Sequence, residues 1–249
     1  MAVHDFRSQR LFIEAPLHEG AEVACERGQA NYLRNVLRLG DGAAILVFNG
    51  HDGEWQARLA AHGKRDCSLL IEHKVREQAG GPEVRYLFAP LKRGRLDYMV
   101  QKATEMGVQS LEPVITERTV AERVNLERMR ANVIEAAEQC GVLRIPRVAE
   151  PVRLEACLAA WPAKQVLLFA DEASEAANPI DAFAGIERGA PAGVLIGPEG
   201  GFSASERARI LAMPATRTVS LGPRIMRADT AAVALLALVN TTIGDWDQR

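Results

Sequence analysis

The sequence predicts an α/β fold in which a largely parallel sheet follows a smaller, β-barrel-like domain. Residues 1–75 read as short strands joined by turns, whereas short apolar runs alternate with amphipathic helical segments after them. A Gly-Gly-Pro segment with flanking charges, at residues 76–83, separates the two patterns. Since alternating strands and helices are typical of parallel sheets covered on both faces, we place the domains at residues 1–75 and 76–249.

Composition narrows the possible classes of protein. The chain has 249 residues, of which 48% are hydrophobic and 25% charged, as is typical of a globular protein with its own core. The net charge of −2 gives no global argument for a nucleic-acid partner, although a local basic patch is compatible with it. The longest apolar run, residues 231–239, is shorter than the ~20 residues that span a bilayer, and the first ten residues lack the apolar core of a signal peptide. We therefore predict a cytoplasmic protein without a membrane partner.

The spacing of cysteine and histidine disfavours a metal site. The four cysteines are widely spaced and form no CxxC motif. All five histidines precede residue 74, so the later part of the chain has no histidine to act as a base or a metal ligand. We predict no metal.

Strand patterns dominate the first domain. Residues 43–48 form an apolar run that is followed by the turn dipeptides Asn49-Gly50 and Asp52-Gly53. Residues 54–59 alternate polar and apolar side chains, and residues 67–71 are a further strand.

One helix interrupts these strands. It is predicted at residues 30–38 and is ended by Gly40. Arg34 and Arg38 lie four residues apart, so they share one face of this helix. They are candidate RNA contacts, with a merely solvated helix face as the alternative.

The second domain alternates strands and helices. Strands are predicted at residues 84–89, 108–115, 166–170, 194–196 and 219–221, and helices at residues 96–106, 126–140, from 203 onward and at 230–242. Ser203 and Glu206 have the spacing of a capping box at the start of the third helix. The last helix has little polar surface, so it is either buried or packed against a second subunit.

A glycine loop, Gly197-Pro198-Glu199-Gly200-Gly201, follows the strand at residues 194–196 and precedes a helix. Ligands of α/β sheets bind at such strand ends, and glycines let the backbone approach a ligand closely. The loop lacks the Gly-Lys-Ser/Thr of a phosphate-binding P-loop and does not fit GxGxxG. The Glu199 carboxylate would repel a polyphosphate, so a cationic ligand such as the sulfonium S-adenosylmethionine suits the loop better. A structural turn without a ligand is the alternative.

A second glycine loop occurs at residues 221–230, with the sequence LGPRIMRADT. Again a strand ends in glycine and a helix follows, so the two loops can form the walls of one cleft. Arg224 and Arg227 can hold a phosphate or a carboxylate there. Asp229 or Thr230 can cap the last helix.

The two loops together resemble a known family. IGPEGGFSASE followed by LGPRIMRADTA is similar to the paired motifs of the RsmE family of 16S ribosomal RNA uracil-N3 methyltransferases, within the SPOUT superfamily. LKRGRLDYMVQKATEMGV, TERTV, EAAEQCG and NYLRNVLRLGDG also match the family, so the resemblance covers nearly the whole chain. It implies a trefoil-knotted SPOUT-type sheet domain, a PUA-like N-terminal β-barrel and a homodimer. The chain departs from the family at Val142, where arginine is common, and mildly at Met226 and Asp229, where leucine and glutamate are common.

The resemblance also implies S-adenosylmethionine as cofactor, bound by residues of both loops and the end of a neighbouring strand. These residues are Phe169, Ile196, Gly197, Pro198, Glu199, Gly200, Leu221, Gly222, Ile225, Met226 and Arg227. We expect the substitution Gly200→Val to abolish cofactor binding.

Methylation at N3 requires removal of the imide proton of uracil or stabilisation of the anion that forms. Glu199 is the only acid in the first glycine loop, which makes it a candidate proton acceptor; a cofactor-holding carboxylate is the alternative. Arg227 can stabilise charge on a uracil carbonyl or grip a phosphate. The base must be unpaired or flipped out, because N3 lies inside a base pair.

A basic segment opens the second domain. Lys92, Arg93, Arg95 and Lys102, with Arg34 and Arg38, are predicted to bind RNA phosphates. The partner is 16S ribosomal RNA or, since the net charge predicts modest affinity for free RNA, the assembled small subunit. Two alternatives stay open: a SPOUT methyltransferase of another site, such as a transfer-RNA ribose, and a non-catalytic assembly factor.

Overall fold

The computed structural model describes residues 8–63, 66–120, 123–174 and 178–246. The chain divides into two compact units, which are described separately. The first unit comprises Met1–Gly80 and Ala137–Ile145, and the second comprises Gly81–Ala136 and Pro146–Arg249. The predicted boundaries of 1–75 and 76–249 therefore differ from these units mainly in the segment 137–145.

The first unit contains one five-stranded sheet. Its strands are β1 (Arg10–Phe12), β2 (Glu22–Ala24), β3 (Ala44–Phe48), β4 (Glu54–Ala61) and β5 (Cys67–Arg76), in the spatial order β1-β3-β4-β5-β2. β1 pairs with β3 in parallel, and the other pairs are antiparallel. Alternate strand residues such as Ile45, Val47, Leu69 and Ile71 are buried in one core. The predicted strands at 43–48, 54–59 and 67–71 are confirmed, whereas β1 and β2 are too short to show a pattern.

The helical segment of this unit differs from the prediction. Helix α1 (Arg27–Asn31) continues into a π-helical turn at Tyr32–Val36, and the amide of Leu37 donates to the Tyr32 carbonyl. Arg38 follows the turn with a φ of +56°, in the left-handed region. A π-helical turn is wider than 3.6 residues. The prediction that Arg34 and Arg38 share one α-helical face is therefore wrong; the Arg34 guanidinium instead donates to the Leu39 carbonyl at 3.0 Å.

A buried ion-pair network explains why residues 137–145 belong to the first unit. The Glu54 carboxylate, 2% exposed, accepts from Arg10 Nε at 2.5 Å and from Arg76 Nε at 2.8 Å. Arg10 also donates to the carbonyls of Ala137 and Glu138, and Arg76 donates to the carbonyl of Gly141. Burial lowers the pKa of the Arg10 guanidinium, against the opposing effect of its Glu54 partner. Arginines of the sheet thus donate hydrogen bonds to backbone carbonyls at the end of a helix that lies far along the chain.

Replacing Glu54 with alanine is expected to lower the free energy of unfolding of the first unit by about 3–5 kcal/mol, because it leaves the buried Arg10 charge without its partner. Hydrogen exchange of the β3 and β4 amides measures this change. Glu72→Ala is the matched control, since Glu72 pairs with Arg58 on the surface of the same sheet, where a pair contributes about 0–1 kcal/mol. Equal effects of the two substitutions would contradict the role assigned to Glu54.

The second unit is built on a parallel sheet. Its strands are β6 (Val84–Phe88), β7 (Ser110–Ile115), β8 (Arg147–Val148), β9 (Val152–Arg153), β10 (Val166–Ala170), β11 (Ala192–Ile196) and β12 (Thr216–Val219). The order is β12-β10-β11-β6-β7-β8, with β9 also beside β7, and every recorded pair is parallel. The predicted α/β class, a parallel sheet after a smaller β-domain, is confirmed. The trefoil knot stays a prediction.

Helices connect these strands. They are α2 (Arg93–Glu105), α3 (Leu126–Cys140), α4 (Leu154–Ala159), α5 (Ala204–Leu211) and α6 (Ala228–Thr242). The predicted capping box at α5 is confirmed, because Ser203 Oγ accepts from the Glu206 amide and the Glu206 carboxylate accepts from the Ser203 amide. The predicted cap of α6 is wrong: its N-cap residue is Arg227, without a side-chain hydrogen bond. The strand predicted at 219–221 is observed at Thr216–Val219, so the prediction and the structure share only Val219.

The buried Glu112 on β7 anchors three donors. Its carboxylate accepts from Arg85 at 2.6 and 2.9 Å, from Ser110 Oγ at 2.7 Å and from Arg147 at 3.2 Å. Burial acts to raise the pKa of Glu112, but the hydrogen bonds from Arg85 and Ser110 outweigh it, so the net shift is below the ordinary value of 4.5.

This lowered pKa predicts a loss of stability in acid. The contribution of Glu112 is fully present above pH 4.5 and is lost as the pH falls below that value and through the folded-state pKa. We expect Glu112→Gln to flatten this part of the stability profile of the second unit, measured by urea unfolding between about pH 3 and 6, a window that includes the ordinary pKa of glutamate. The exposed Glu105→Gln serves as control; a profile equally flattened by both substitutions would remove Glu112 from this role.

Candidate functional site

The two glycine loops meet at one edge of the parallel sheet. β10 lies between β11 and β12, so the loops that follow these three strands leave from neighbouring strand ends. Together they line a cavity of about 690 Å³. This volume lies within the range of about 300–1,000 Å³ that is usual for ligand pockets, and strand ends are the usual place for them.

Residue 197 must be glycine because an aromatic ring lies close to its backbone. A Cβ added at this position would lie 2.6 Å from Cε2 of Phe202. The Phe202 ring is itself held edge-on against Phe169, with 5.3 Å between ring centroids. The backbone of the first loop can therefore pass over Phe202 only if residue 197 is glycine.

Two further glycines adopt left-handed backbone angles. Gly201 has a φ of +67° and Gly222 a φ of +95°, so any other residue would be strained there. Gly201 closes a tight turn by donating to the Pro198 carbonyl at 2.9 Å. A Cβ at Gly201 would also lie 2.7 Å from a carboxylate oxygen of Glu172, which comes from the loop after β10.

Most residues predicted to bind the cofactor lie on the cavity wall. These are Phe169, Ile196, Gly197, Pro198, Glu199, Leu221, Gly222, Ile225 and Met226. Gly200 and Arg227 do not line it. A Cβ at Gly200 would make only ordinary contacts with Arg118, at 3.7 and 3.8 Å, so the expected effect of Gly200→Val on the cavity is not supported by the structure.

Several charged wall residues escaped the sequence analysis. Asp171 is 4% exposed and accepts two hydrogen bonds at 3.1 Å and one at 2.8 Å from the guanidinium of Arg207, which lies on α5. The hydrogen bond from Arg207 to Asp171 raises the pKa of Arg207. Asp171 and Glu172 directly follow the predicted strand at 166–170. Because ligands of α/β sheets bind at strand ends, these two acids could have been predicted as site residues from the sequence. Nothing in the local pattern identifies Arg207.

Glu199 lies between the large cavity and a smaller one. The smaller cavity has a volume of about 330 Å³ and is lined by Pro90, Lys92, Arg95, Val120 and Glu199. Glu199 lines both cavities, and its Oε1 lies 3.3 Å from Arg95 Nη1. The proton acceptor predicted from the sequence is therefore next to two of the predicted RNA contacts.

The other predicted RNA contacts are placed elsewhere. Lys102 lies about two helical turns beyond Arg95 on α2 and pairs with Glu105 at 2.8 Å. The side chain of Arg93 lies outside the described part of the structure. Arg34 and Arg38 belong to the first unit, and a common phosphate track with Lys92 and Arg95 stays a prediction.

The described ranges contain neither a candidate metal cluster nor a candidate membrane span. Within residues 8–63, 66–120, 123–174 and 178–246, no three or more His, Cys, Asp or Glu side chains are grouped so that they could hold a metal ion. No helix within the same ranges is long and apolar enough to cross a membrane.

Known proteins resemble the whole chain. A model of the RNA methyltransferase domain matches residues 79–240, and a model of the RNA methyltransferase PUA domain matches residues 26–72. Ribosomal RNA small subunit methyltransferase E of Mycobacterium tuberculosis is 33% identical, over 95% of this chain and 93% of its own length. The protein of the same name from Rickettsia conorii is 28% identical, over 92% of this chain and 94% of its own length.

A solved structure agrees with both units. The crystal structure of a ribosomal RNA small subunit methyltransferase E from Neisseria gonorrhoeae, bound to S-adenosylmethionine, matches with a TM-score of 0.85 and 26% identity. The match covers 96% of this chain and 99% of the other.

Proposed function

The chain belongs to the ribosomal RNA small subunit methyltransferase E family, and we propose that it methylates N3 of a specific uridine in 16S ribosomal RNA. It is an RNA methyltransferase that uses S-adenosylmethionine. The observation that carries the proposal is the cavity of about 690 Å³ formed by two glycine loops at neighbouring strand ends, in a chain that shares its fold with a cofactor-bound relative.

The cavity residues fit S-adenosylmethionine. Gly197 and Gly201 keep the backbone open where a Cβ would meet Phe202 or Glu172, so the first loop forms a cradle that only glycine permits. The carboxylates of Glu172 and Glu199 suit the cationic sulfonium and ammonium groups, and the Arg224 guanidinium suits the carboxylate. The bound cofactor supplies an electrophilic methyl group; the protein supplies alignment and electrostatics.

Glu199 performs the proton transfer in this proposal. Its carboxylate takes the imide proton as N3 forms its bond to the methyl carbon and the sulfur–carbon bond breaks. The proton then passes to water, and the carboxylate is restored. Arg227 is exposed at the start of α6. This position favours binding of an RNA phosphate over contact with the uracil carbonyl.

The assembled small subunit is the proposed substrate, because a chain with a net charge of −2 attracts free RNA weakly. Methylation at N3 blocks base pairing, so it stops reverse transcription one nucleotide before the modified uridine. Incubation with S-adenosylmethionine is expected to create one such stop in the 16S RNA of unmethylated subunits and a weaker one in naked RNA. A stronger stop in naked RNA would overturn the choice of substrate, and no stop in either would overturn the function. A ribosomal substrate implies a cytoplasmic enzyme.

A homodimer is the proposed assembly. Helix α6 is apolar along nearly its whole length, yet Val233, Ala234, Ala237 and Leu238 are only half-buried. Such an apolar stripe suits a second copy of the same helix in a two-fold symmetric contact. We expect Ala237→Arg to turn a dimer into a monomer in sedimentation experiments. A wild-type chain that sediments as a monomer at micromolar concentration would contradict the assembly.

A further inference from the structure

The smaller cavity beside the glycine loop has the dimensions and composition of a site for one nucleotide. Its volume of about 330 Å³ is at the lower end of the range for ligand pockets, about 300–1,000 Å³. Lys92 and Arg95 contribute two positive charges and Glu199 one negative charge, while Pro90 and Val120 form apolar walls. The cavity therefore suits a ligand with an anionic group and a flat apolar face.

The two cations are available to an incoming anion. Within the ranges that the structure describes, no acceptor contacts the Lys92 ammonium. The Arg95 guanidinium has one long contact among the described residues, to Glu199 at 3.3 Å, and the two side chains are 41% and 37% exposed. An exposed pair of this kind is weak, whereas a phosphate can accept two parallel hydrogen bonds from a guanidinium. A phosphate can thus displace Glu199 from Arg95.

The apolar wall is fixed to the glycine loop. Arg118, two residues before Val120, donates to the Gly200 carbonyl at 2.8 Å. The amide of Glu117 donates to the buried carboxylate of Glu206 at 2.8 Å, at the start of the helix that follows the loop. These contacts hold Val120, which is 66% exposed, on the same side of the loop as Glu199.

We propose that this cavity receives the target nucleotide as an unpaired pyrimidine nucleotide of RNA. Its phosphate binds Lys92 and Arg95, and its ring packs against Val120 and Pro90. Arg95 leaves Glu199 when the phosphate arrives, so the carboxylate that borders both cavities becomes free to take the N3 proton. This assignment rests on the proposed function, since it places the substrate of the same reaction. The bonds that form and break are those given above, with the N3 proton transferred to Glu199.

The test compares Lys92→Gln and Arg95→Gln with Arg217→Gln. Arg217 is exposed on β12, away from both cavities, and its replacement removes the same charge. We measure kcat and KM for unmethylated small subunits at several salt concentrations, together with the Kd for S-adenosylmethionine. Each of the first two substitutions is expected to raise KM about tenfold or more, and to reduce the slope of log KM against log salt by about 0.7, as for one lost contact to single-stranded phosphate. Arg95→Lys is expected to retain part of the affinity.

Cofactor affinity within about twofold of the wild-type value, in each variant, shows that the second unit remains folded, since 1.4 kcal/mol would already change Kd tenfold. An active wild-type chain whose KM and salt slope are the same in all three glutamine variants overturns the nucleotide site and leaves the proposed function intact. A wild-type chain that binds S-adenosylmethionine but forms no N3-methyluridine overturns both.

Discussion

Gly197→Ala is expected to weaken the binding of S-adenosylmethionine by about 10- to 100-fold. The new methyl group would lie 2.6 Å from the Phe202 ring, which cannot move freely because it packs edge-on against Phe169. Overpacking of this kind costs about 1–3 kcal/mol, and relief by a shift of the loop would change the shape of the cavity wall. Titration calorimetry with the purified chain measures the effect.

Gly200→Ala is the matched control for this prediction. Gly200 lies three residues away in the same loop, but a Cβ there makes only ordinary contacts with Arg118 and does not face the cavity. We expect its cofactor affinity to stay within about twofold of the wild-type value, a difference well below the 1.4 kcal/mol of a tenfold change. Equal losses in both variants would mean that the loop as a whole, and not the close approach at Gly197, determines the affinity.

Glu199→Gln is expected to lower kcat by about 10²- to 10⁴-fold, the usual contribution of a positioned proton acceptor. The amide has nearly the same size but cannot accept the imide proton. Loss of the negative charge is also expected to weaken binding of the cationic cofactor, so the rate is compared at saturating S-adenosylmethionine. Single-turnover methylation of small subunits at saturating cofactor measures the chemical step.

Glu117→Gln is the control for the loss of a nearby carboxylate. Glu117 is exposed, lies in the loop that carries Val120 and accepts from Ser205 at 3.0 Å, outside both cavities. Its rate is expected to stay near that of the wild type. A Glu199→Gln enzyme that methylates as fast as the Glu117 variant would show that another group, or water, accepts the proton.

Local sequence patterns predicted most of the strands and helices of the second unit. The strand at 166–170 was predicted with its observed bounds, because a run of five apolar residues flanked by polar ones has few alternatives. Gly107 and Gly141 follow α2 and α3 with φ of +74° and +80°, the backbone angles that make glycine a helix stop. The capping box at Ser203 depends on residues three apart, and it too was visible in the sequence.

Other features depend on contacts that no local pattern contains. The π-helical turn after α1 buries Leu33 and brings Leu37 and Leu39 against the same core, so packing overrides the α-helical spacing of residues 30–38. The Arg10 contact to residues 137 and 138 joins positions more than a hundred residues apart. A contact between residues so far apart in the chain produces no periodic pattern in the sequence, so it could not be predicted.

In the candidate site, too, local sequence predicts some features, whereas others depend on contacts between distant residues. Strand ends followed by glycines located both loops of the cavity, since this is a property of local sequence. Crowding at Gly197 rather than Gly200 depends on the position of the Phe202 ring, and the pair of Arg95 with Glu199 joins residues 104 positions apart. Which glycine is indispensable, and which cation faces the acid, could be seen only in three dimensions.

The most direct test of the account is transfer of a deuterated methyl group from S-adenosylmethionine to unmethylated small subunits. The RNA is digested to nucleosides, and mass spectrometry with isomer standards separates methylation at N3 of uridine from methylation at the ribose oxygen or at C5. The account predicts deuterated N3-methyluridine, one per subunit at completion. Label in a ribose-methylated nucleoside, or no label despite cofactor binding, would contradict it.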